Sequence, residues 1–137
     1  MYRNNRGLRE WHLDQQDFDK YCNDNNYGNV QFYSQQDEDK YMLRYILKPN
    51  TESGTFLEIG ACDGFLYRNT KMLEDYFGFK GILIEPQPNM YNRLISNRPN
   101  CKCYNTAISD VDDEKVTFSG LDENGGITEF LNKQQLH

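Results

Sequence analysis

Apolar residues are sparse in the first third of the chain and gather into short, regularly spaced runs in its middle. Residues 1–33 are rich in Asn, Asp, Gln and Tyr, and "KYCNDNNYGNVQ" carries no sustained period. This stretch reads as a polar N-terminal arm, weakly packed, with order confined to a short helix around Trp11 to Tyr21. Trp11 and Phe18, an i, i+7 pair, could dock that helix on the body. The first regular pattern is "SQQDEDKYMLRYILKPN", where Tyr41, Met42, Tyr45 and Ile46 recur at helical spacing. Ser34, with Asp37 three residues on, is placed to cap this helix. Asp37, Glu38 and Asp39 suit the positive end of its dipole, and Pro49 stops it.

After the loop "NTESG" the pattern becomes strand, helix, strand, helix, strand. "TFLEI" (55–59) is the first strand. "FLYRNTKMLEDYF" is helical, with Leu66, Leu73 and Phe77 on one face and Gly78 at its end. "GILIE" (81–85) is an almost unbroken apolar run, as expected of a strand covered on both faces. "PNMYNRLISN" turns Met90, Tyr91, Leu94 and Ile95 toward the sheet, and "CKCYNTAIS" (101–109) is the third strand. The alternation predicts an α/β fold: a Rossmann-like parallel sheet with flanking helices, joined by right-handed crossovers. "DVDDEKVTFSG" reads as a turn and a further strand, and "GLDENGGITEFLN" is Gly-rich with little pattern.

Such a sheet opens a crevice at the carboxyl ends of its strands, where Glu58 to Gly60 and Glu85 fall. Gly60 and Gly64 allow a tight turn and a close approach of ligand to backbone. Glu85 lies 25 residues beyond Gly60 and ends the second strand, the usual place for a carboxylate that accepts two ribose hydroxyls. The ligand should therefore contain a nucleoside. A dinucleotide fingerprint needs glycine where Cys62 stands, and Glu58 and Asp63 would repel a pyrophosphate. The same two acids would welcome an ammonium or a sulfonium, so the charge pattern selects S-adenosyl-L-methionine over NAD or FAD.

Composition narrows the partners. The 137 residues suffice for one small domain, and a net charge of −6 opposes long-range attraction to nucleic acid or to an anionic membrane. No apolar run approaches ~20 residues, and the N-terminus has no apolar segment of a secretory signal. Cys22, Cys62, Cys101 and Cys103 form no CxxC pair, and the two histidines sit at opposite ends, so no metal site is expected. Cys101 and Cys103 alternate along a strand and point the same way. All four read as reduced thiols in a cytoplasmic compartment.

The segments "SQQDEDKYML", "GTFLEIGACDG", "NTKMLE", "GFKGILIEPQPNMYNRLISNRPN" and "NTAIS" follow one another in order. Together they resemble the FkbM-type methyltransferases, class I enzymes dependent on S-adenosyl-L-methionine, over about residues 34–120. The resemblance implies that Glu58, Gly60, Ala61, Asp63 and Gly64 line the methionine part of the cofactor. It places Glu85 on the ribose, Pro86 in the loop after it, and Ala107 and Ile108 near the adenine. Asn69 and Thr70 match the family's "NT" pair, with helix packing and local hydrogen bonding as the competing reading. Gln35 and Asp37 match its upstream segment, where helix capping suffices. The chain so divides into the arm at 1–33 and a cofactor-binding domain at 34–137.

One departure qualifies the resemblance: no fourth parallel strand with an acidic "D-V-E-G"-like segment appears before His137. The domain is expected to be incomplete at its C-terminus, leaving the first strand with an open edge and uncovered apolar surface for an oligomer or partner chain. The family reading implies O-methylation of a small molecule or sugar. A non-catalytic domain that binds cofactor or a partner protein stands beside it. A nucleotide-binding module of the dehydrogenase kind is third, disfavoured by Cys62 and the two extra acids.

Overall fold

The computed structural model describes residues 2–3, 9–10, 13–112, 115–119 and 125–128. The chain opens with an antiparallel pair, β1 (Tyr2–Arg3) with β2 (Arg9–Glu10). Helix α1 (Gln15–Asp24) follows, started by Asp14, whose carboxylate accepts the Asp17 N–H at 2.9 Å. Phe18 and Cys22 of α1 are buried in a core cluster with Leu43, Met72, Leu73 and Phe77. Residues 13–33 are thus core-forming, against the expectation of a weakly packed arm. One apolar i, i+4 pair seats the helix because Tyr27, Val30 and Phe32 fold over it, with the Phe18 and Phe32 rings edge to face at 5.2 Å. Trp11 lies outside the described residues.

The next helix differs from its pattern. Helix α2 (Glu38–Tyr41) continues into a π-helical turn, Met42–Ile46, closed by the Leu47 N–H on the Met42 carbonyl at 2.9 Å. Asp37, at φ +60°, makes no side-chain cap and pairs with Lys40 at 2.8 Å instead. The capping partner of Ser34 is the buried Asp39. That carboxylate accepts the backbone N–H groups of Tyr33 and Ser34 and the Ser34 hydroxyl, and Ser34 Oγ accepts the Asp39 N–H at 3.3 Å. The widened turn rotates the helix face. Leu43 is fully buried, whereas Tyr45 and Ile46 of the expected stripe are exposed.

Three parallel strands then form one sheet in the order β3 (Thr55–Ile59), β4 (Lys80–Ile84), β5 (Lys102–Tyr104). Leu57 pairs with Ile82, and Ile82 with Lys102. The crossovers carry α3 (Lys71–Phe77) and α4 (Pro88–Asn97). Helix α3 begins at Lys71 rather than Phe65 because residues 62–67 turn. The Asp63 carboxylate accepts the N–H groups of Phe65 and Leu66 at 2.8 Å each, and Gly64 and Tyr67 both take positive φ. Leu66 consequently stays exposed, while Gly78 ends α3 in the left-handed conformation as expected. Strand β4 starts and ends one residue earlier than its apolar run, which leaves Glu85 just past its end. A last antiparallel pair, β6 (Phe118–Ser119) with β7 (Gly126–Ile127), stands apart from the sheet.

Both crossover helices lie on one face of the sheet. Phe56 touches the core on the α3 side and also the second cluster of Ala61, Leu83 and Leu94, where Leu94 belongs to α4. The opposite face holds Leu57, Ile59, Ile82 and Tyr104, all 40–60% exposed. Cover on both faces, expected from the apolar run of β4, is therefore incomplete among the described residues: Ile82 is exposed on this face, whereas Ile84 is 8% exposed. With strand order following chain order, successive right-handed crossovers fall on the same side. No helix among the described residues is long and apolar enough to cross a membrane.

Candidate functional site

The carboxyl ends of β3 and β4 are tied into one knot of backbone and one side chain. Past β3 the chain turns over the end of β4: the N–H groups of Gly60 and Ala61 both donate to the Ile84 carbonyl, at 2.9 and 3.1 Å. Gly60 has φ +76°, and a Cβ placed on it would meet nothing within 4 Å, so this glycine borders open space. Cys62 also takes a left-handed φ of +53°, uncommon for a residue with a Cβ. Its N–H is fixed by Glu85, whose Oε2 accepts it at 2.9 Å. The other carboxylate oxygen, Oε1, accepts the Gln87 N–H at 2.8 Å. The Glu85 N–H donates to the Tyr104 carbonyl at 3.0 Å, and the Asn105 side-chain amide reaches the carbonyls of Glu85 and Pro86, both at 2.9 Å. Glu85 is thereby held where the turns after β3, β4 and β5 converge, and it is 6% exposed.

Two hollows meet there. A cavity of about 200 Å³ is bounded by Gly60, Cys62, Tyr67, Glu85, Pro86 and Met90, with Phe118 and Gly125 across from them. A wider hollow of about 660 Å³ runs along Asn105 to Ser109 and shares Pro86 and Phe118 with the first. Gly60, Glu85 and Pro86 border the smaller cavity, and Pro86, Ala107 and Ile108 the larger one. The other four residues anticipated from the sequence, Glu58, Ala61, Asp63 and Gly64, border neither.

Each of those four has a different task. Ala61 is buried with Leu83 and Leu94. Asp63 holds the turn through the Phe65 and Leu66 N–H groups, and its own carbonyl accepts the Asn97 amide at 2.8 Å. Gly64 makes room for α4: a Cβ there would stand 2.6 Å from Leu94 Cδ1 and 2.7 Å from Arg98 Cγ. Glu58 lies on the covered face of the sheet at 9% exposure. Its Oε2 accepts the Thr70 hydroxyl at 2.5 Å and its Oε1 the Asn69 N–H at 3.3 Å. Thr70 Oγ1 accepts from Arg98 Nη2 at 3.2 Å, and Arg98 Nε donates to Glu74 Oε2 at 2.6 Å. Glu58 thus ends a buried polar chain, Glu58–Thr70–Arg98–Glu74, that ties β3 to both crossover helices. Thr70 hydrogen-bonds within this chain, and Asn69 contributes its backbone N–H to Glu58. The carboxylates of Glu58 and Asp63 face internal donors.

The walls include residues that sequence reasoning did not place. The sequence marks Cys62 as a missing glycine and a reduced thiol and Met90 as a sheet-facing residue, and it gives no role to Tyr67 or Phe118. Nothing in a sequence distinguishes Arg98, 1% exposed, from a surface arginine at a helix end. The turn also leans on the N-terminal region: the Arg68 guanidinium sits 4.3 Å from the Tyr33 ring and 4.2 Å from the Phe65 ring. None of the four cysteines is in a disulfide. Burial pushes the thiols of Cys22, Cys101 and Cys103 above their ordinary range, and at Cys101 the neighbouring Glu74 carboxylate adds to the rise while Arg98 opposes it. Among the described residues no group of three or more His, Cys, Asp and Glu side chains could hold a metal ion.

These features define a mixed α/β unit: a three-stranded parallel sheet with flanking helices and a crevice at its strand ends, compatible with part of a Rossmann-like fold. Comparison of the chain with protein-family models, with curated proteins and with solved structures gives no match. The functional reading therefore rests on the residues of the crevice.

Proposed function

We propose that the chain is an S-adenosyl-L-methionine-dependent methyltransferase domain of the FkbM type. Its fold would be part of a class I methyltransferase, and its acceptor a hydroxyl of a small molecule or sugar. The observation that carries this reading is the position of Glu85: just past β4, buried, bonded to the turn after β3 and bordering a cavity. A carboxylate offers about four lone-pair sites. Glu85 gives one on each oxygen to a backbone N–H, which leaves each oxygen able to accept one of two vicinal sugar hydroxyls.

The remaining residues fit the cofactor unevenly. The sugar end is well matched, because Gly60 leaves open space beside Glu85. Pro86, Ala107 and Ile108 border the adjoining hollow and would flank the adenine. Glu58, Ala61, Asp63 and Gly64 would serve the methionine part indirectly, by holding the turn that Gly60 and Cys62 present to it. When bound, the cofactor supplies an electrophilic methyl group on a sulfonium. The protein's contribution would then be to orient an acceptor oxygen in line with that group. Four cysteines outside any disulfide suit a reducing compartment such as the cytoplasm.

Isothermal titration with S-adenosylhomocysteine tests the proposal. Saturable binding is expected, weakened about tenfold or more in Glu85→Gln, a variant that keeps the shape and part of the backbone bonding. Thermal melts of both proteins separate lost binding from lost fold. Equal affinity in the two proteins would remove Glu85 from the site. The bare sheet face favours a second reading, a non-catalytic domain that binds cofactor or a protein. Transfer of labelled methyl from the cofactor to a panel of sugars and small alcohols distinguishes enzyme from binder.

A further inference from the structure

The uncovered face of the sheet is a small apolar floor with a positively charged end. Strand alternation and register set its rows: Ile59, Ile84 and Tyr104 lie abreast at the carboxyl end, Leu57, Ile82 and Lys102 in the next row, and Thr55 and Lys80 in the last. Leu57 and Ile59, on the edge strand β3, are 58% and 60% exposed and Ile82 of the central strand is 40% exposed, whereas Ile84 beside them is 8% exposed. The rows contain two lysines and no carboxylate. Neither Lys80 nor Lys102 forms an ion pair among the described residues, on a chain whose formal net charge is −6.

We infer that this face docks an amphipathic helix whose apolar stripe covers Leu57, Ile59, Ile82 and Tyr104 and whose carboxylates meet Lys80 and Lys102. Dimensions and charge favour a helix over a second copy. Five residues of strand give a floor about 17 Å long, and three strands make it about 14 Å wide. A helix of about 11 residues has that length and nearly that width. Two copies of net charge −6 repel, and a second copy of this face offers no carboxylate to meet the lysines of the first. Charge fixes the polarity of the partner. Lys80 stands in the amino-terminal row and Lys102 in the middle row, so the acids of the helix flank its stripe from that end to its middle. The inference is independent of what occupies the crevice at the strand ends.

The test uses the full chain and two synthetic helical peptides of about 15 residues, long enough to hold a helix in water. One has a leucine stripe flanked by glutamates, the other the same stripe flanked by lysines. Fluorescence anisotropy should show saturable binding of the acidic peptide, at least about fivefold tighter than its basic twin. A chain of net charge −6 would otherwise prefer the basic one. Leu57→Asp should abolish binding without lowering the melting temperature, because the side chain is already exposed. The pair Lys80→Glu and Lys102→Glu should invert the preference. Absence of binding, or equal binding of both peptides, would overturn the proposal. So would concentration-dependent dimerisation that Leu57→Asp removes.

Discussion

At the scale of single residues, two glycines four positions apart do unrelated work. Gly60 and Gly64 both need a positive φ, but only Gly64 is pressed against a neighbour, with Leu94 and Arg98 where its Cβ would be. Gly60→Ala should cost about 1 kcal/mol, the strain of a left-handed alanine. Gly64→Ala should cost about 3 kcal/mol, because overpacking against α4 adds to that strain. Denaturant titration of the two variants checks the difference, and equal costs would refute the packing role of Gly64. The thiols give a second expectation. Burial holds Cys22, Cys101 and Cys103 protonated above the range of the unfolded chain. The folded state therefore keeps protons that the unfolded state loses above about pH 8.5. Their contribution to stability is complete below that pH and declines as the pH climbs through the raised folded values. Alkylation at about pH 8 should label these cysteines several-fold more slowly in the native chain than in denaturant. Equal rates would show that the burial is not maintained in solution.

At the scale of elements, the centre of the chain was legible and its start was not. Strands β3 and β4 and helix α4 sit within a residue of where apolar runs, glycine and proline put them, because those signals are local. Helix α1 carries only Phe18 and Cys22 as apolar anchors, and its burial depends on residues 27–33 and on α3 and the π-helical turn, contacts that no local pattern encodes. The π-helical turn misled in a different way, since its extra residue moves Leu43 inward and Tyr45 and Ile46 outward while the residue types still suggest an ordinary helix. Phe18→Ala should destabilise the whole domain by about 3–5 kcal/mol, read as a shift of the single unfolding transition. If α1 were a loosely attached arm, the main transition would stay where it is.

At the scale of the molecule, the crevice gathers residues from three separate turns, at 60–67, 85–90 and 105–109, against one buried carboxylate. The place of Glu85 at the crevice was readable from sequence because the apolar run of β4 ends on it. Glu58 looked similar, yet strand alternation with Phe56 turns it under the sheet toward Thr70. The distinction lies in which face a side chain takes, and the sequence pattern around Glu58 did not settle that. The same topology that builds the crevice leaves Leu57, Ile59, Ile82 and Tyr104 exposed on the other face of the sheet, so the proposed ligand site and the proposed docking face follow from one strand order.

The central claim is that Glu85 grips two sugar hydroxyls. It is tested most directly by calorimetric titration of the chain with adenosine and with 2′,3′-dideoxyadenosine, which differ only in those hydroxyls. The account predicts that adenosine binds and that the dideoxy compound binds at least about tenfold more weakly, the loss of hydrogen bonds to a charged group. Equal affinity for the two, or no binding of adenosine at all, would contradict it.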